Sequence, residues 1–485
     1  MESNVVVIVS FAIYSLFIIG TGIYTTKLRK KTDADFVLAN RELGSWSASL
    51  SASASSESGW VMLGLVGMAF SSGLSTAWVI PGIGAGYLFN WFVIAERLRK
   101  ATLQTGAVTL PQYISARFDP KSKTLRLIAV VIIATAMLGY VAAQMNSAGK
   151  AFEVTFSLPY EWGVLVGAVI VLAYTITGGF RAICWTDVIQ ASFMVIALVG
   201  MPFVVLSNLD SFSGAMDTLR AADPTLLTIT GSNVGFAMFG FVIGLIGIGF
   251  GYPGQPQILA RFMAARDKDT VTKAGVISFI WFLLVYVGAI AFGLFARAYF
   301  GSIADPEQAL PLACNEFLPP VLAGFVIAAI VAAICSTADS QLIVVSSTIS
   351  RDVIPFFRKK PMVADDSPKA FRKMQRLDSG MLIVLALISV AFALSENRVI
   401  FNFVLYAWSA LGAAFGPVII LGLMWKGANK NGAVAGMLTG AIVTVVWKNV
   451  PVLKNAIYEL VPAFILAFLA VWLVSLLTRP KTTGD

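Results

Sequence analysis

The chain has 485 residues, of which 58% are hydrophobic and only 13% are charged, and its mean hydropathy is +0.81. A soluble globular protein carries about 25% charged residues, because polar groups must cover its surface. The composition therefore indicates an integral membrane protein. The chain contains no histidine, which excludes histidine-ligated zinc enzymes and Ser-His-Asp hydrolases, and its three cysteines lack the CxxC spacing of a metal knuckle.

Thirteen stretches of the sequence are apolar enough to cross a bilayer as helices of about 20 residues. They lie near 5–25, 46–72, 76–95, 127–149, 162–180, 186–207, 233–257, 274–299, 319–348, 377–395, 399–424, 431–450 and 459–478. The first has no basic segment before it and no small-residue cleavage site after it, so we expect a retained span rather than a signal peptide. The longest loop, at about 350–376, is too short and too charged to fold alone. We therefore expect a single transmembrane domain over 1–485.

The basic residues give the orientation of these spans, because cytoplasmic loops are enriched in Lys and Arg. A basic cluster over 27–31 follows the first span, which predicts an external amino terminus and, after thirteen spans, a cytoplasmic carboxyl terminus. In this orientation all but six of the 35 basic residues fall in cytoplasmic loops. The six exceptions are Lys150, Arg220, Arg297, Arg398, Lys448 and Lys454. The net charge of +9 is thus explained by the cytoplasmic face, and we expect no nucleic-acid partner.

Two of the thirteen stretches are poorly suited to unbroken helices. The second carries a serine-rich run over 45–58 that ends at Gly59, and the seventh contains several glycines and two prolines over 244–256. Transporters built from inverted repeats place a discontinuous helix at the start of each repeat, with the binding site where the two meet. The two stretches are five spans apart, and this odd spacing would invert the second repeat. Close packing through small residues is the alternative, but it accounts less well for the matching positions.

Three carboxylates are predicted at membrane depth, where such groups are costly and usually functional. Glu57 lies in the serine-rich stretch, Asp187 lies near the cytoplasmic end of its span, and Asp339 lies in a short polar run of the ninth stretch. The surrounding hydroxyls and carbonyls are hard oxygen ligands, which suit sodium better than a soft metal. Two alternatives stay open at this point: Asp187 as a helix cap, and Ser336 and Thr337 as residues that bond back to their own helix.

Short motifs run along almost the whole chain. In order they are Arg41-Glu42-Leu43-Gly44, Ser58-Gly59-Trp60, Leu110-Pro111-Gln112-Tyr113, Gly178-Gly179-Phe180, Trp185-Thr186-Asp187, Gly254-Gln255-Pro256, Ser336-Thr337, Tyr406-Ala407-Trp408 and Phe415-Gly416-Pro417. Together they resemble the sodium:solute symporter family, and within it the bacterial sodium/proline symporters. The resemblance implies an all-α membrane protein of about thirteen transmembrane helices. Its fold would be the leucine-transporter-type 5+5 inverted repeat, with a discontinuous first helix in each repeat.

The same resemblance implies the division of the chain and the roles of its residues. A peripheral helix is expected at 5–25, a first repeat at 46–207, an inverted second repeat at 233–424 and two peripheral helices at 431–478. The implied sodium ligands are oxygens of Ala54, Glu57, Ala333, Ser336 and Thr337. The implied solute-binding residues are Ser58, Gly59, Trp60, Tyr140, Ile248, Tyr252 and Pro256. The implied coupling residues are Asp187, Asp339, Ser56 and Arg41.

Two positions depart from the pattern of the proline symporters. Those proteins carry an aspartate where this chain has Ser56, and here the carboxylate is on the next residue, Glu57. Such a shift turns a side chain about 100° round a helix, although a break in the helix can absorb it. The tryptophan of their second broken helix is Ile248 in this chain, which leaves room for a larger solute. The resemblance therefore supports sodium coupling more strongly than it supports proline as the solute.

The function implied is a sodium-coupled symporter that imports a small amino acid, proline first, by alternating access in a bacterial cell membrane, with Na+ as the coupling ion. Two alternatives stay open: a sodium-coupled carrier of another amino acid, a carboxylate or a sugar, and a proton-coupled carrier that uses Glu57. A sensor or scaffold is less favoured because no signalling domain is attached. An enzyme is less favoured because no nucleophile–base pair is evident without histidine. The solute and the lipid bilayer are the expected partners, and no obligate protein partner is evident.

Overall fold

The computed structural model of the protein describes residues 2–27, 32–357, 368–394 and 399–479. These ranges contain no β-strand, and a single isolated bridge pairs Leu43 with Ala265. The α-helices in them are Glu2–Thr26 (α1), Asp33–Leu38 (α2), Ser45–Ser56 (α3), Val66–Ser72 (α4), Val79–Phe89 (α5), Glu96–Thr105 (α6), Leu110–Phe118 (α7), Lys123–Phe156 (α8), Tyr160–Ser207 (α9), Phe212–Ala222 (α10), Gly235–Gly247 (α11), Pro256–Ala264 (α12), Lys268–Phe300 (α13), Ala309–Phe317 (α14), Pro320–Thr348 (α15), Pro368–Ala393 (α16), Ile400–Met424 (α17), Lys430–Asn449 (α18), Pro451–Ala456 (α19) and Leu460–Leu477 (α20). The all-α prediction is confirmed.

Ten helical stretches of the described residues are long and apolar enough to cross a membrane. They are Val5–Thr25, Trp60–Thr105, Lys123–Phe156, Gly179–Ser207, Gly235–Gly254, Lys268–Phe300, Pro320–Phe356, Phe371–Ala393, Ile400–Met424 and Leu460–Leu477. Trp60–Thr105 runs through parts of two predicted spans as one stretch, and Tyr160–Ala173 is a shorter apolar helix. Helix α18 is not among the ten stretches. The predicted count of thirteen is therefore neither reached nor excluded by this criterion and stays a prediction.

The first discontinuous helix consists of α3, a break over 57–59, a π-helical turn Trp60–Leu65 and α4. The backbone leaves helical geometry at Glu57, where φ is −96° and ψ is 74°. Buried serines of α3 face neighbouring helices: the Ser49 hydroxyl lies 2.9 Å from that of Ser278 on α13, and the Ser55 hydroxyl lies 2.9 Å from that of Ser340 on α15. Small hydroxyl residues allow this close polar packing inside a membrane protein.

The second discontinuous helix consists of α11, a 3₁₀ turn Ile248–Gly254 and α12. Gln255 is extended (φ −90°, ψ 105°), and α12 restarts at Pro256, which has no N–H to donate and is favoured at a helix start. The turn packs against α5 and α17 at close range, since a Cβ on Gly251 would lie 1.9 Å from the Trp408 indole nitrogen. Both predicted breaks are thus present in the structure.

The long helical stretch α9 is two helices joined at Gly179, whose φ of 65° is accessible to glycine without strain. This junction agrees with the separate predicted stretches 162–180 and 186–207. Helix α3 packs against α9, α12, α13 and α15, so that the first discontinuous helix lies at the centre of the bundle. Helices α18 and α20 pack on each other and on α17, outside that centre. The division into repeats over 46–207 and 233–424 stays a prediction.

Candidate functional site

The last turn of α3 meets the middle of α15 at four buried oxygens. The Ala54 carbonyl accepts a hydrogen bond from the Ser336 hydroxyl at 2.9 Å and one from the Thr337 hydroxyl at 3.2 Å. The Ser336 hydroxyl also lies 3.1 Å from the Ala333 carbonyl. Carbonyls in the last turn of a helix lack a partner further along that helix, which leaves Ala54 available to α15. We call Ala54, Ala333, Ser336 and Thr337 the oxygen cluster; they are four of the five predicted sodium ligands.

The two hydroxyls of the oxygen cluster also bear on an alternative left open by the sequence. If Ser336 and Thr337 only bonded back to their own helix, neither would contact α3, yet both reach Ala54. All four residues of the cluster are fully buried. Carbonyl and hydroxyl oxygens are hard ligands. A sodium ion could bind among them if the two hydroxyl groups turned their protons away from the carbonyl.

The Glu57 carboxylate lies in a separate buried cage of hydroxyl groups. Its Oε1 accepts hydrogen bonds from Tyr87 and Tyr252, both at 2.9 Å, and from Ser56 at 3.1 Å. Its Oε2 accepts a hydrogen bond from Tyr286. We call Tyr87, Tyr252 and Tyr286 the tyrosine cage. The side-chain partners of Glu57 are therefore not those of the oxygen cluster, and only its backbone carbonyl is left as the oxygen that could join a sodium ion there.

Two members of the tyrosine cage, Tyr87 and Tyr286, were not predicted from the sequence. Tyr87 is on α5 and Tyr286 is on α13, each within a predicted span. The only available signal was a buried-looking tyrosine in an apolar helix, which needs a hydrogen-bond partner but does not reveal it. Because Glu57 and Tyr286 are 229 residues apart, their contact depends on the packing of α13 against the break.

Gln144 of α8 holds the first break in place, and it too was missed. The Gly59 N–H donates to Gln144 Oε1 at 3.1 Å, and Gln144 Nε2 donates to the Ser58 hydroxyl at 3.2 Å. Contact with α8 is so close that a Cβ on Gly59 would lie 2.6 Å from the Ser147 hydroxyl. The Trp60 indole turns back and donates to the Ser56 carbonyl at 3.1 Å. Ser58 and Gly59 are thus held against α8, and Trp60 is held against the end of α3.

Among the predicted solute residues of the second break, Tyr252 contacts the first break, where its hydroxyl donates to Glu57. The Tyr252 ring packs edge-on against Trp408 with a centroid distance of 4.9 Å, and the Trp408 indole donates to the Ile248 carbonyl at 3.0 Å. Tyr140 of α8 is fully buried, and its hydroxyl finds no hydrogen-bond partner among the described residues. Pro256 is buried at the start of α12, after the turn.

A buried ion-pair network surrounds the predicted coupling residues. Asp187 Oδ2 accepts hydrogen bonds from Ser51 at 2.6 Å and from Arg261 at 3.2 Å. The Arg261 guanidinium also donates to Ser340 at 2.6 Å, and the Ser340 hydroxyl donates to Asp339 at 3.3 Å. Asp187 is inside α9 and faces α12, so its interpretation as a helix cap is wrong. The sequence analysis counted Arg261 among the basic residues of the cytoplasmic loops, but the residue is inside α12 and fully buried. Its charge is paired with Asp187 rather than exposed to solvent.

This network connects to the oxygen cluster through α3 and α15. The Ser55 hydroxyl lies 2.9 Å from that of Ser340, and Ser55 directly follows Ala54 in the chain. Arg261 also stacks over the Phe180 ring, 4.7 Å from its centroid, so that the guanidinium has both polar and aromatic partners. The second discontinuous helix therefore contacts the first through a buried charge next to the oxygen cluster.

Arg41 lies apart from both the oxygen cluster and the tyrosine cage. Its guanidinium donates to carbonyl oxygens of Met263, Thr102 and Ala107 at 2.9, 3.2 and 2.7 Å, respectively. These contacts tie the segment before α3 to the end of α12 and to the connection between α6 and α7. The structure therefore gives Arg41 a place at the end of the discontinuous helices, on the side predicted to be cytoplasmic.

Comparison of the sequence with known proteins gives a consistent result. A family model described as the sodium:solute symporter family matches residues 36–440. The chain is 36% identical to a sodium/proline symporter of Salmonella typhimurium and to one of Escherichia coli, with 100% of this chain and 95% of each relative covered. It is 35% identical to a sodium/proline symporter of Staphylococcus aureus, with 99% of this chain and 94% of the relative covered.

Comparison with solved structures supports the fold. A Na+-coupled sialic acid symporter in a substrate-bound outward-open state matches with a TM-score of 0.80 at 20% identity, covering 98% of both chains. MhsT in complex with L-phenylalanine matches with a TM-score of 0.57 at 12% identity, covering 90% of this chain and 98% of MhsT. These identities establish the fold alone, and the leucine-transporter-type architecture is confirmed. The chain belongs to the sodium:solute symporter family.

Proposed function

We propose that the protein is a sodium-coupled symporter that imports a small amino acid, with L-proline as the first candidate, by alternating access. The observation that carries the proposal is the oxygen cluster, in which the Ala54 carbonyl at the first break meets the Ser336 and Thr337 hydroxyls of α15. The relatives named sodium/proline symporters are 35–36% identical over nearly their whole length, which supports proline. Because the family is one of transporters, the chain is not an enzyme.

Sodium would act as a bridge between the first discontinuous helix and α15. An ion held by the oxygen cluster replaces two hydrogen bonds to Ala54 and keeps α3 seated on α15. The solute site at the break then stays assembled, because Ser58 and Gly59 follow within five residues. By reciprocity, the solute tightens sodium binding by the factor that sodium tightens solute binding. The membrane potential adds about 2.3 kcal/mol per sodium ion per 100 mV.

The solute would bind between the two breaks. In this proposal Ser58, Gly59 and Tyr140 would line one side, and Ile248, Tyr252 and Pro256 would line the other. The Tyr140 hydroxyl has no hydrogen-bond partner among the described residues, which supports its availability for a polar group of the solute. Ile248 leaves more space than the tryptophan expected from the proline symporters, so a solute larger than proline is the second candidate.

We further propose that the protein lies in the plasma membrane of a bacterium, with its amino terminus outside and its carboxyl terminus in the cytoplasm. The bacterial relatives support the bacterial membrane. The bias of basic residues toward one set of loops supports the orientation.

The test is uptake of labelled L-proline into proteoliposomes under an inward sodium gradient, compared with an equal potassium gradient. We expect accumulation only with sodium. Ser336→Ala and Thr337→Ala each remove one ligand and should raise the half-saturating sodium concentration about tenfold, as expected for a loss on the order of 1.4 kcal/mol. Ser347→Ala is the matched control, since it also removes a buried hydroxyl from α15, but one with no hydrogen-bond partner among the described residues.

Three results would change the proposal. If another amino acid competes and accumulates with sodium while proline does not, the ion site stands and the solute is revised. If uptake follows a pH gradient at fixed sodium, the proton-coupled alternative is correct. If Ser347→Ala changes the sodium dependence as much as Ser336→Ala does, the oxygen cluster is not the sodium site.

A further inference from the structure

Helix α5 packs directly against the second break. A Cβ on Gly86 would lie 2.6 Å from the Gly249 carbonyl oxygen and 2.8 Å from the Tyr252 ring, so the two segments meet at backbone distance. The helix continues into a π-helical turn, Asn90–Ala95, a geometry that is frequent at functional sites. The side chains at this end of α5 are therefore placed to act on the second break.

Asn90, the first residue of that turn, binds the second break with only half of its amide group. The residue is 1% exposed, and its Nδ2 donates to the Tyr252 carbonyl oxygen at 3.1 Å. A carbonyl oxygen only accepts, so this bond directs the amide nitrogen toward Tyr252 and the amide oxygen away from it. That oxygen, Oδ1, has no hydrogen-bond donor among the described residues. Buried amide oxygens normally have one, so Asn90 can accept a hydrogen bond from a bound molecule.

A cavity of about 10 Å³ lies beside Asn90. Ser56 and Tyr87 line it together with Asn90, and Ala52 and Ile258 are among its apolar lining residues. None of the described residues that line it is charged. A buried water molecule needs about 10–15 Å³ and two to four polar partners. The cavity therefore has the size and the polar groups for one water molecule.

The hydroxyl groups in the cavity wall cannot supply the donor that Asn90 lacks. A hydroxyl group has one proton and two acceptor lone pairs. Tyr87 donates its proton to Glu57 Oε1 at 2.9 Å, and Ser56 donates to the same oxygen at 3.1 Å. Both hydroxyls therefore offer only acceptors to the cavity, as Asn90 Oδ1 does. Water can donate to two such acceptors at once, whereas a cation would lose its hydration in a cavity without a counter-charge.

We propose that Asn90 is a positioning residue for the solute site, and that one buried water molecule joins it to the first break. The water donates to Asn90 Oδ1 and to the hydroxyl oxygen of Ser56 or Tyr87. The amide nitrogen of Asn90 holds the Tyr252 carbonyl, so α5 ties both breaks into one hydrogen-bonded network and fixes their separation. The inference rests on the proposed function, in that the solute binds between the two breaks.

An experimental structure of the full chain tests the water directly. The protein is prepared without solute, once in sodium medium and once in potassium medium, at a resolution that shows ordered water. In both media we expect a density peak about 2.5–3.0 Å from Asn90 Oδ1 and within hydrogen-bond distance of the Ser56 or Tyr87 hydroxyl. The absence of a peak there, or a peak in sodium medium alone, would overturn the assignment of a water molecule.

Two variants of nearly equal shape test the same water in solution. Ala52 lines the cavity, so Ala52→Thr and Ala52→Val both place a larger side chain there. The threonine hydroxyl can replace the water as a donor to Asn90 Oδ1, whereas the valine methyl excludes the water and donates nothing. We expect solute affinity, measured by equilibrium binding at saturating sodium, to be about threefold to tenfold weaker in Ala52→Val than in Ala52→Thr. Equal affinities would contradict the proposal.

Asn90→Leu tests the positioning role. Leucine has nearly the shape of asparagine but no amide, so the variant removes the bond to Tyr252 and the bond to the water. We expect solute affinity to fall about tenfold or more, while sodium affinity measured without solute stays unchanged because the oxygen cluster lies between α3 and α15. Asn146→Leu is the matched control, since this buried asparagine of α8 accepts a hydrogen bond from the Tyr160 hydroxyl at 2.7 Å, a partner in neither break. Lower thermal stability in both variants with equal solute affinity would show that Asn90 has only a structural role.

The results separate this inference from the proposed function, because the density peak does not depend on transport. If the peak is found but no amino acid is taken up under a sodium gradient, the proposed function is wrong and the water site stands. If uptake follows sodium but the peak is absent and the two Ala52 variants bind solute equally, the inference is wrong and the proposed function stands.

Discussion

The Tyr252 hydroxyl donates a 2.9 Å hydrogen bond to the Glu57 carboxylate, and this bond joins the break in the second discontinuous helix to the break in the first. Both residues are buried. Tyr87 and Tyr286 complete the cage from α5 and α13, so one carboxylate collects donors from three other segments of the chain. A movement of one break relative to the other must therefore change the hydrogen bonds of Glu57, which makes this group a direct link between the two breaks.

Removing one donor from the cage should weaken solute binding. Tyr252→Phe deletes the hydroxyl that joins the two breaks and keeps the ring, with its contact to Trp408. We expect solute affinity to fall about threefold to tenfold, the range for one net hydrogen bond. The affinity of each variant is measured by equilibrium binding of labelled solute at saturating sodium. Tyr113→Phe is the control, because that buried hydroxyl has no hydrogen-bond partner among the described residues. Equal losses in the two variants would contradict a specific role for Tyr252.

The position of the negative charge can be tested by moving the carboxylate from residue 57 to residue 56. Glu57→Gln leaves the cage hydroxyls without their charged acceptor, and we expect uptake to fall at least about tenfold. The Ser56 hydroxyl already lies 3.1 Å from Glu57 Oε1, so a carboxylate at position 56 can approach the same donors. The double variant Ser56→Asp with Glu57→Gln should therefore recover much of the lost uptake. If it is as inactive as Glu57→Gln alone, the two positions do not serve the same cage.

The sequence predicted the breaks well because their cause is local. Proline and glycine interrupt a helix wherever the rest of the chain lies, and both breaks occur where these residues and the serines predicted them. The contact between Ala54 and Ser336 spans 282 residues, and only the family resemblance placed these residues together. The sequence could not show where the side chains of Glu57, Gln144 and Arg261 point, since each orientation depends on which helix packs against a break.

The Asp187–Arg261 pair should show coupled effects on stability. Arg261→Gln leaves Asp187 buried without a cation and should lower the free energy of unfolding by about 3–5 kcal/mol. The double variant Arg261→Gln with Asp187→Asn removes that unpaired charge, so it should be more stable than Arg261→Gln alone. Thermal unfolding of the purified protein in detergent measures the order. A double variant as unstable as the sum of the single ones would show that the two side chains do not interact.

Close contact at Gly59 gives the last prediction. A Cβ at this position would lie 2.6 Å from the Ser147 hydroxyl and 2.8 Å from the Ser147 Cβ, so Gly59→Ala must push the first break away from α8. The Gly59 N–H would then lose Gln144, and we expect solute affinity to fall at least about tenfold. Gly200→Ala is the control, because nothing lies within 4 Å of the added Cβ. Ser147→Gly removes the opposing atoms and should restore much of the affinity in the Gly59→Ala background. Without that recovery, the loss would not be explained by the contact between the break and α8, and the placement of the solute at this break would have to be revised.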